Sequence, residues 1–185
     1  MLASRDLRTT DRRSIGRADD VVALVRRRPR LLGSLIECLW SDDPVLVARS
    51  ANAAEKLSRE MAARFQPWKD ALLDLLATAQ QSELRWQLAL IVPRMNLTVH
   101  ECRRAAAILE SRLEDRTSLV KTFAMQGLAD LLRQDPSPRA AVLDLLRIHT
   151  RSGTPAMRAR GRILLKQLED ANIRTDPAHP AKTGG

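Results

Sequence analysis

Between residues 19 and 170 apolar residues recur at spacings of three and four, the period of helices with one buried face, and no stretch alternates apolar with polar residues as a strand would. Four of these stretches open alike, with an apolar residue followed four positions on by a small or apolar one. The pairs are Val47 and Ala51, Leu84 and Leu88, Val120 and Ala124, Met157 and Gly161. Their first members stand 37, 36 and 37 positions apart, an internal period that decides the architecture. Each such helix (helix B) follows another apolar one (helix A): residues 31–40, 71–79, 105–113 and 140–148. One further amphipathic stretch, DDVVALVRRR at 19–28, precedes them. The order is therefore helix A, short turn, helix B, about four times, after a leading helix.

The punctuation agrees. Asp43-Pro44, Ser137-Pro138 and Thr154-Pro155 each put a capping side chain before a proline suited to the first helical position. Thr98 and Glu101 have the spacing of a capping box. Pro93, late in a helix B, is expected to kink or end it. Ala51, Ala124 and Gly161 are small enough for close helix approach. A mid-helix glycine costs up to about 1 kcal/mol relative to alanine, so close packing is the expected reason for Gly161.

Paired helices of this length, with D-P before helix B and V-R/K-x-x-A inside it, resemble HEAT repeats. The residues that carry the likeness are Asp43, Pro44, Val47 and Ala51, then Asp115, Val120, Lys121 and Ala124, then Met157 and Arg158. The second unit departs from the pattern with Ser82-Glu83, and the fourth has Gly153-Thr154-Pro155 without an acid. The resemblance implies an all-α, right-handed α-solenoid of about four helix pairs with an N-terminal capping helix. It speaks to fold more than to function.

The 185 residues suit one such array: a basic, disordered arm at 1–18, the helical domain at 19–170 and a disordered tail at 171–185. The formal charge of +9 is uneven. Residues 1–30 hold 9 Lys/Arg against 4 Asp/Glu, residues 31–115 hold 10 against 12, and residues 116–185 hold 12 against 6. Basic ends favour an anionic partner, unless they reflect only the use of arginine at exposed positions. Cys38 and Cys102 lie in apolar helical contexts and read as buried thiols, with no framework for a disulfide or zinc. The N-terminus lacks the apolar core of a signal peptide and no window reaches the length of a membrane span, so a cytoplasmic location is expected.

Catalytic chemistry is hard to assemble from this inventory. His100, His149 and His179 have no acid or cysteine at ligand spacing, and there is no glycine-rich phosphate loop, nucleophile elbow or H-E-x-x-H. Asp42-Asp43 and Glu114-Asp115 stand where helix starts want negative charge. No catalytic residue, cofactor or metal is expected, and the function expected is macromolecular binding, with a protein as the first partner and nucleic acid as the alternative. The candidate binding residues are Trp86, Arg49, Arg85, Lys121, Arg158, Arg162 and Lys166. Trp86 lies off the centre of its apolar arc, toward the helix-B surface, whereas Trp40 and Trp68 read as helix-end packing. Arg85, Lys121 and Arg158 directly follow the first apolar residue of their helices, and the first unit shifts this cation to Arg49. In HEAT arrays that position resembles one bonding an acid of the adjacent repeat, the favoured reading for Arg85 and Lys121, with Asp43 and Asp115 as acids. In the last unit Arg160, Arg162 and Lys166 exceed what such a ladder needs, and the stripe Arg158, Arg162 and Lys166 could meet phosphates, together with Arg5, Arg8, Arg12, Arg13 and Arg17. Alkylpurine DNA glycosylases are similar in being HEAT-like, but their aromatic and acidic cluster finds no residue-by-residue match here, so no site is carried over.

Overall fold

The leading helix begins four residues before the place that its pattern marks: α1 spans Ile15–Arg27. A computed structural model describes the backbone of residues 15–175 and the side chains of residues 18–170. The arginines at 5, 8, 12 and 13, the side chain of Arg17 and the tail beyond 175 lie outside the described residues. Among the described residues every regular element is helical: α2 (Leu32–Glu37), α3 (Pro44–Met61), α4 (Lys69–Thr78), α5 (Ser82–Ile91), α6 (Val99–Arg112), α7 (Ser118–Leu131), α8 (Arg139–Ser152) and α9 (Pro155–Thr175), with short 3-10 segments between some of them.

The eight residues that define the period, Val47, Ala51, Leu84, Leu88, Val120, Ala124, Met157 and Gly161, are all buried. They lie on α3, α5, α7 and α9, and each of these helices packs on the next, with α1 against the outer side of α3. The A helices α4, α6 and α8 flank this row, and one apolar cluster runs without a break from Val21 on α1 to Leu164 on α9. At roughly 1.5–3 kcal/mol for each fully buried large aliphatic side chain, this shared core is the main stabilising term. α1 buries Val21, Val22 and Val25 and turns Asp19, Asp20, Arg26 and Arg27 outward, as expected of a capping helix.

Helix starts follow local chemistry. Asp43 Oδ1 accepts from Val45 N at 2.9 Å and Leu46 N at 3.3 Å, and Pro44 supplies the first turn. Thr98 and Glu101 close their capping box, with Thr98 N donating to Glu101 Oε2 at 2.7 Å. Thr154 Oγ1 accepts weakly from Met157 N at 3.4 Å. Ser137 does not cap. Helix α8 starts one residue later than expected, Pro138 takes the cap position, and the Ser137 hydroxyl donates instead to Asp135 Oδ1 at 2.6 Å. The buried Asp135 carboxylate is a stronger acceptor than any carbonyl that the hydroxyl could find, so it organises the turn.

Helix α5 ends at Ile91, and Pro93 sits in the 3-10 turn Val92–Arg94 that follows. That turn is gripped from both sides. Gln134 Nε2 donates to Pro93 O at 2.8 Å while its Oε1 accepts from Leu97 N at 2.9 Å, and Gln66 bridges both backbone groups of Asn96. Arg94 reaches back to α3, donating to Glu55 Oε1 at 2.9 Å and Ser58 Oγ at 2.8 Å. Trp68 packs on the core as expected, but Trp40 is 48% exposed at the end of the 3-10 turn Cys38–Trp40. That turn spends its apolar side chains Cys38 and Leu39 on the core and leaves the third residue outward.

Candidate helix-B surface

Trp86 and Phe123 stand on adjoining helices, α5 and α7, at a separation of 37 residues. Leu84 and Val120, buried just upstream, fix the rotation of each helix and bring both rings to the edge of the core, half-buried. The rings stack with centroids 5.1 Å apart and planes inclined by 26°. Another 37 residues on, Arg160 of α9 holds its guanidinium carbon 5.7 Å from the Phe123 centroid, and its Nη1 donates to Gln126 Oε1 at 3.3 Å. Such stacking and cation–π contacts are worth about 0.5–1.5 and 0.5–1 kcal/mol. Arg49 occupies the corresponding position on α3, 37 residues before Trp86, and is also half-buried.

The spacing between the rings is set beneath them. Gly127 is one turn beyond Phe123, and a Cβ placed on it would come within 2.5 Å of Ala89 O on α5 and 2.8 Å of Leu109 Cδ1 on α6. The missing methyl is what lets α5 and α7 lie close enough for the two rings to meet. Gly161 serves the next interface in the same way, where a Cβ would strike Thr150 Oγ1 on α8 and approach Met125 Cε on α7 to 3.0 Å.

The remaining candidate cations divide. Arg85 is committed to Asp115: its Nη2 donates to Oδ1 at 3.2 Å, and its Nε lies 2.9 Å from Oδ2. Both side chains are largely buried, so Arg85 joins α5 to the turn before α7 in the manner of the ladder. Lys121 makes no ion pair among the described residues, because one period beyond Asp115 the chain offers Ser152 in place of an acid. Arg158, Arg162 and Lys166 are exposed, without a hydrogen bond or ion pair to any described residue. Two positions on either side of Arg160, Arg158 and Arg162 are turned about 160° away from it. They line the outer edge of α9, a surface separate from the aromatic pair.

Three carboxylates are held in their charged form by their partners. Burial pushes the Asp115 carboxyl upward, but the Thr117 N–H at 2.8 Å and Arg85 overcome it and hold it below the usual range. Glu101 is lowered by Lys69 at 2.6 Å and by Thr98, and Asp135 by the Ser137 hydroxyl and N–H and by Arg103. Depressed folded values stabilise the fold fully above about pH 5, and that contribution is lost as pH falls through them, below about pH 4. The urea midpoint is expected to be level from pH 7 to 5 and to fall steeply below 4, with Asp115→Asn flattening part of the fall. An unchanged profile in that variant would remove Asp115 from the account. Burial, followed by the charges of Asp135 and Glu101, pushes the Cys102 thiol up, so it stays protonated near neutral pH and is a poor nucleophile.

Several cavities lie away from the aromatic pair. An apolar one of about 190 Å³ sits between α6, α7 and α8, with Cys102, Ala106, Leu128, Leu131, Asp135 and Val142 in its wall. A wetter one of about 590 Å³ opens at the C-terminal ends of α3, α5 and α7, where Arg59, Arg94 and Arg133 already face Glu55 and Asp130. Among the described residues no three of His, Cys, Asp and Glu gather as metal ligands would, and no helix is long and apolar enough to cross a membrane.

No protein-family model and no curated protein matches this chain. Its functional reading therefore stands on its own geometry. Of the sequence-derived candidates, the structure brings Trp86 and Arg49 into one register, commits Arg85 to Asp115, and sets Arg158, Arg162 and Lys166 apart on the far edge of α9. Phe123 was not among the candidates, and Arg160 stood only among the surplus cations of the last helix, although successive steps of 37 from Trp86 land on both.

Proposed function

We propose that this chain is a non-enzymatic binding module, a right-handed solenoid of HEAT-like helix pairs that docks a protein partner on the exposed side of its B helices. The observation that supports the reading is the Trp86–Phe123 stack, held half-exposed across α5 and α7 and flanked by an arginine. Aromatic and arginine side chains at the rim of a core are the residues on which protein interfaces concentrate their binding energy. The resemblance to HEAT repeats, whose stacked pairs form extended binding surfaces, is consistent with it. Affinity capture on immobilised protein, comparing the native chain with Trp86→Ala and Arg160→Glu, tests the assignment. Retention of specific partners should drop in both variants, and partners held equally by all three proteins would place the interface elsewhere.

A second reading rests on Arg158, Arg162 and Lys166, a stripe of exposed cations spaced by four on the outer edge of α9, with no ion pair among the described residues. Such a stripe suits a phosphate backbone, and binding through it would weaken steeply with salt. Fluorescence anisotropy with a labelled DNA duplex at ~50 and ~200 mM salt decides whether it contributes.

A further inference from the structure

We propose that the apolar cavity between α6, α7 and α8 is a binding site for a small organic ammonium ion, with its apolar body on Leu128, Leu132 and Val142 and its charged nitrogen on Asp135. The site lies apart from the aromatic pair and does not depend on the docking face proposed above.

The room comes from uneven packing of the A helices. Helix α8 packs chiefly on α9 and has little contact with α6 or α7, whereas α4 and α6 meet directly. On α6 the wall of the gap is made by Cys102, Ala106 and Ala107, short side chains that leave it unfilled. Leu128 and Leu131 of α7, with Leu132 just beyond it, close the floor. Arg103 and Glu110, both exposed, place the mouth on the outer side of α6. The space is about 190 Å³. An apolar cavity of about 150 Å³ takes up benzene, and a further group the size of a water molecule claims about 30 Å³. One ring with one small polar substituent therefore fits.

The carboxylate in the wall decides what that substituent is. Asp135, in the turn before α8, is only 7% exposed. Its Oδ1 accepts from the Ser137 hydroxyl at 2.6 Å and from Ser137 N at 3.1 Å. These bonds hold the carboxyl below its usual range against the effect of burial, so it is ionised at neutral pH. Oδ2 is buried as well, and no hydrogen bond reaches it. Arg103 Nε stands 3.7 Å away, too far for a hydrogen bond, on a side chain that is 69% exposed. A buried charged oxygen in this state is costly, and a donor brought to it offsets that cost. An ammonium group supplies a short charge-assisted bond as Arg103 swings out into solvent. An anion would meet Asp135 and Glu110 against Arg103 alone, and a purely apolar molecule would leave Oδ2 as it is.

A 1H–15N NMR titration of the full chain with benzylamine, a cation at neutral pH, is the test, with benzyl alcohol as the neutral isostere. Benzylammonium should shift the amides of Ala106, Leu128 and Val142 with a Kd on the order of 1 mM or below. Benzyl alcohol should move the same amides about 10-fold more weakly. Asp135→Asn should weaken benzylammonium about 10-fold and erase the preference between the two. Because Asp135 also organises its turn, a second variant is needed. Ala106→Leu fills the cavity from α6 and leaves the carboxylate in place. It should bind neither compound and melt no lower than the native chain. Equal affinity for the two compounds, or a preference that survives Asp135→Asn, would overturn the ammonium site. Shifts confined to residues outside the cavity, undiminished binding by Ala106→Leu, or no shift at about 20 mM would overturn the cavity as a site altogether.

Discussion

Gly127→Ala is expected to lower the stability of this protein by about 2 kcal/mol, a loss of roughly 4–8 °C in melting temperature. The new methyl would sit 2.5 Å from the Ala89 carbonyl oxygen and 2.8 Å from Leu109 Cδ1. A backbone oxygen in the middle of a helix cannot swing aside, so α5 and α7 must separate. Overpacking of this kind costs about 3 kcal/mol. Alanine recovers only about 1 kcal/mol of helix propensity over glycine. Gly33→Ala is the control: on α2 the nearest atom to its Cβ is Trp68 Cζ2 at 3.1 Å, the end of a side chain that can shift. That variant should be close to neutral. The explanation fails if thermal melts show Gly127→Ala to be no less stable than Gly33→Ala.

Removing Arg94 should cost still more, about 3 kcal/mol. Its guanidinium joins the turn after α5 to α3 through Glu55 Oε1, the Glu55 carbonyl at 3.2 Å and Ser58 Oγ. The Glu55 side chain is only 3% exposed, so it depends on its partners for the solvation that it gave up. Arg59 also holds Glu55, with Nη2 at 2.8 Å, but it is 62% exposed and works through water's screening. Arg94→Ala leaves a buried carboxylate with one wet partner, whereas Arg59→Ala should cost no more than about 1 kcal/mol. Urea unfolding of the two single variants and of each combined with Glu55→Gln would separate these contributions. A coupling of Glu55 to Arg94 no larger than its coupling to Arg59 would contradict the assignment.

What the chain disclosed in advance was the part governed by short-range rules. The helix pairs follow from periodicity, the start of α3 from Asp43-Pro44, the start of α6 from Thr98 and Glu101, and the Arg85–Asp115 pair from the placement of a cation and an acid in neighbouring units. The misses have a common physical origin: competition between nearby partners. Ser137 had the chemistry of a cap, but Asp135 two residues earlier took its hydroxyl. Trp40 ends a tight turn whose two other side chains fill the space available, so it remains outside. The 3-10 segment Ala62–Trp68, which buries Phe65, carries no amphipathic period to announce it. The binding surface was half legible. Trp86 stood out by composition, but its partner Phe123 is visible only when the period found from the small residues is carried onto the large ones.

Gly127 is buried, yet the open face above it depends on its lack of a side chain. The distance between Trp86 and Phe123 is a property of the floor, transmitted upward by two stiff rods whose closest approach is at that glycine. Recognition on such a face can be abolished by a substitution that no bound partner would ever meet. It can also be retuned from below, one methyl group at a time, with every residue of the visible surface left as it is.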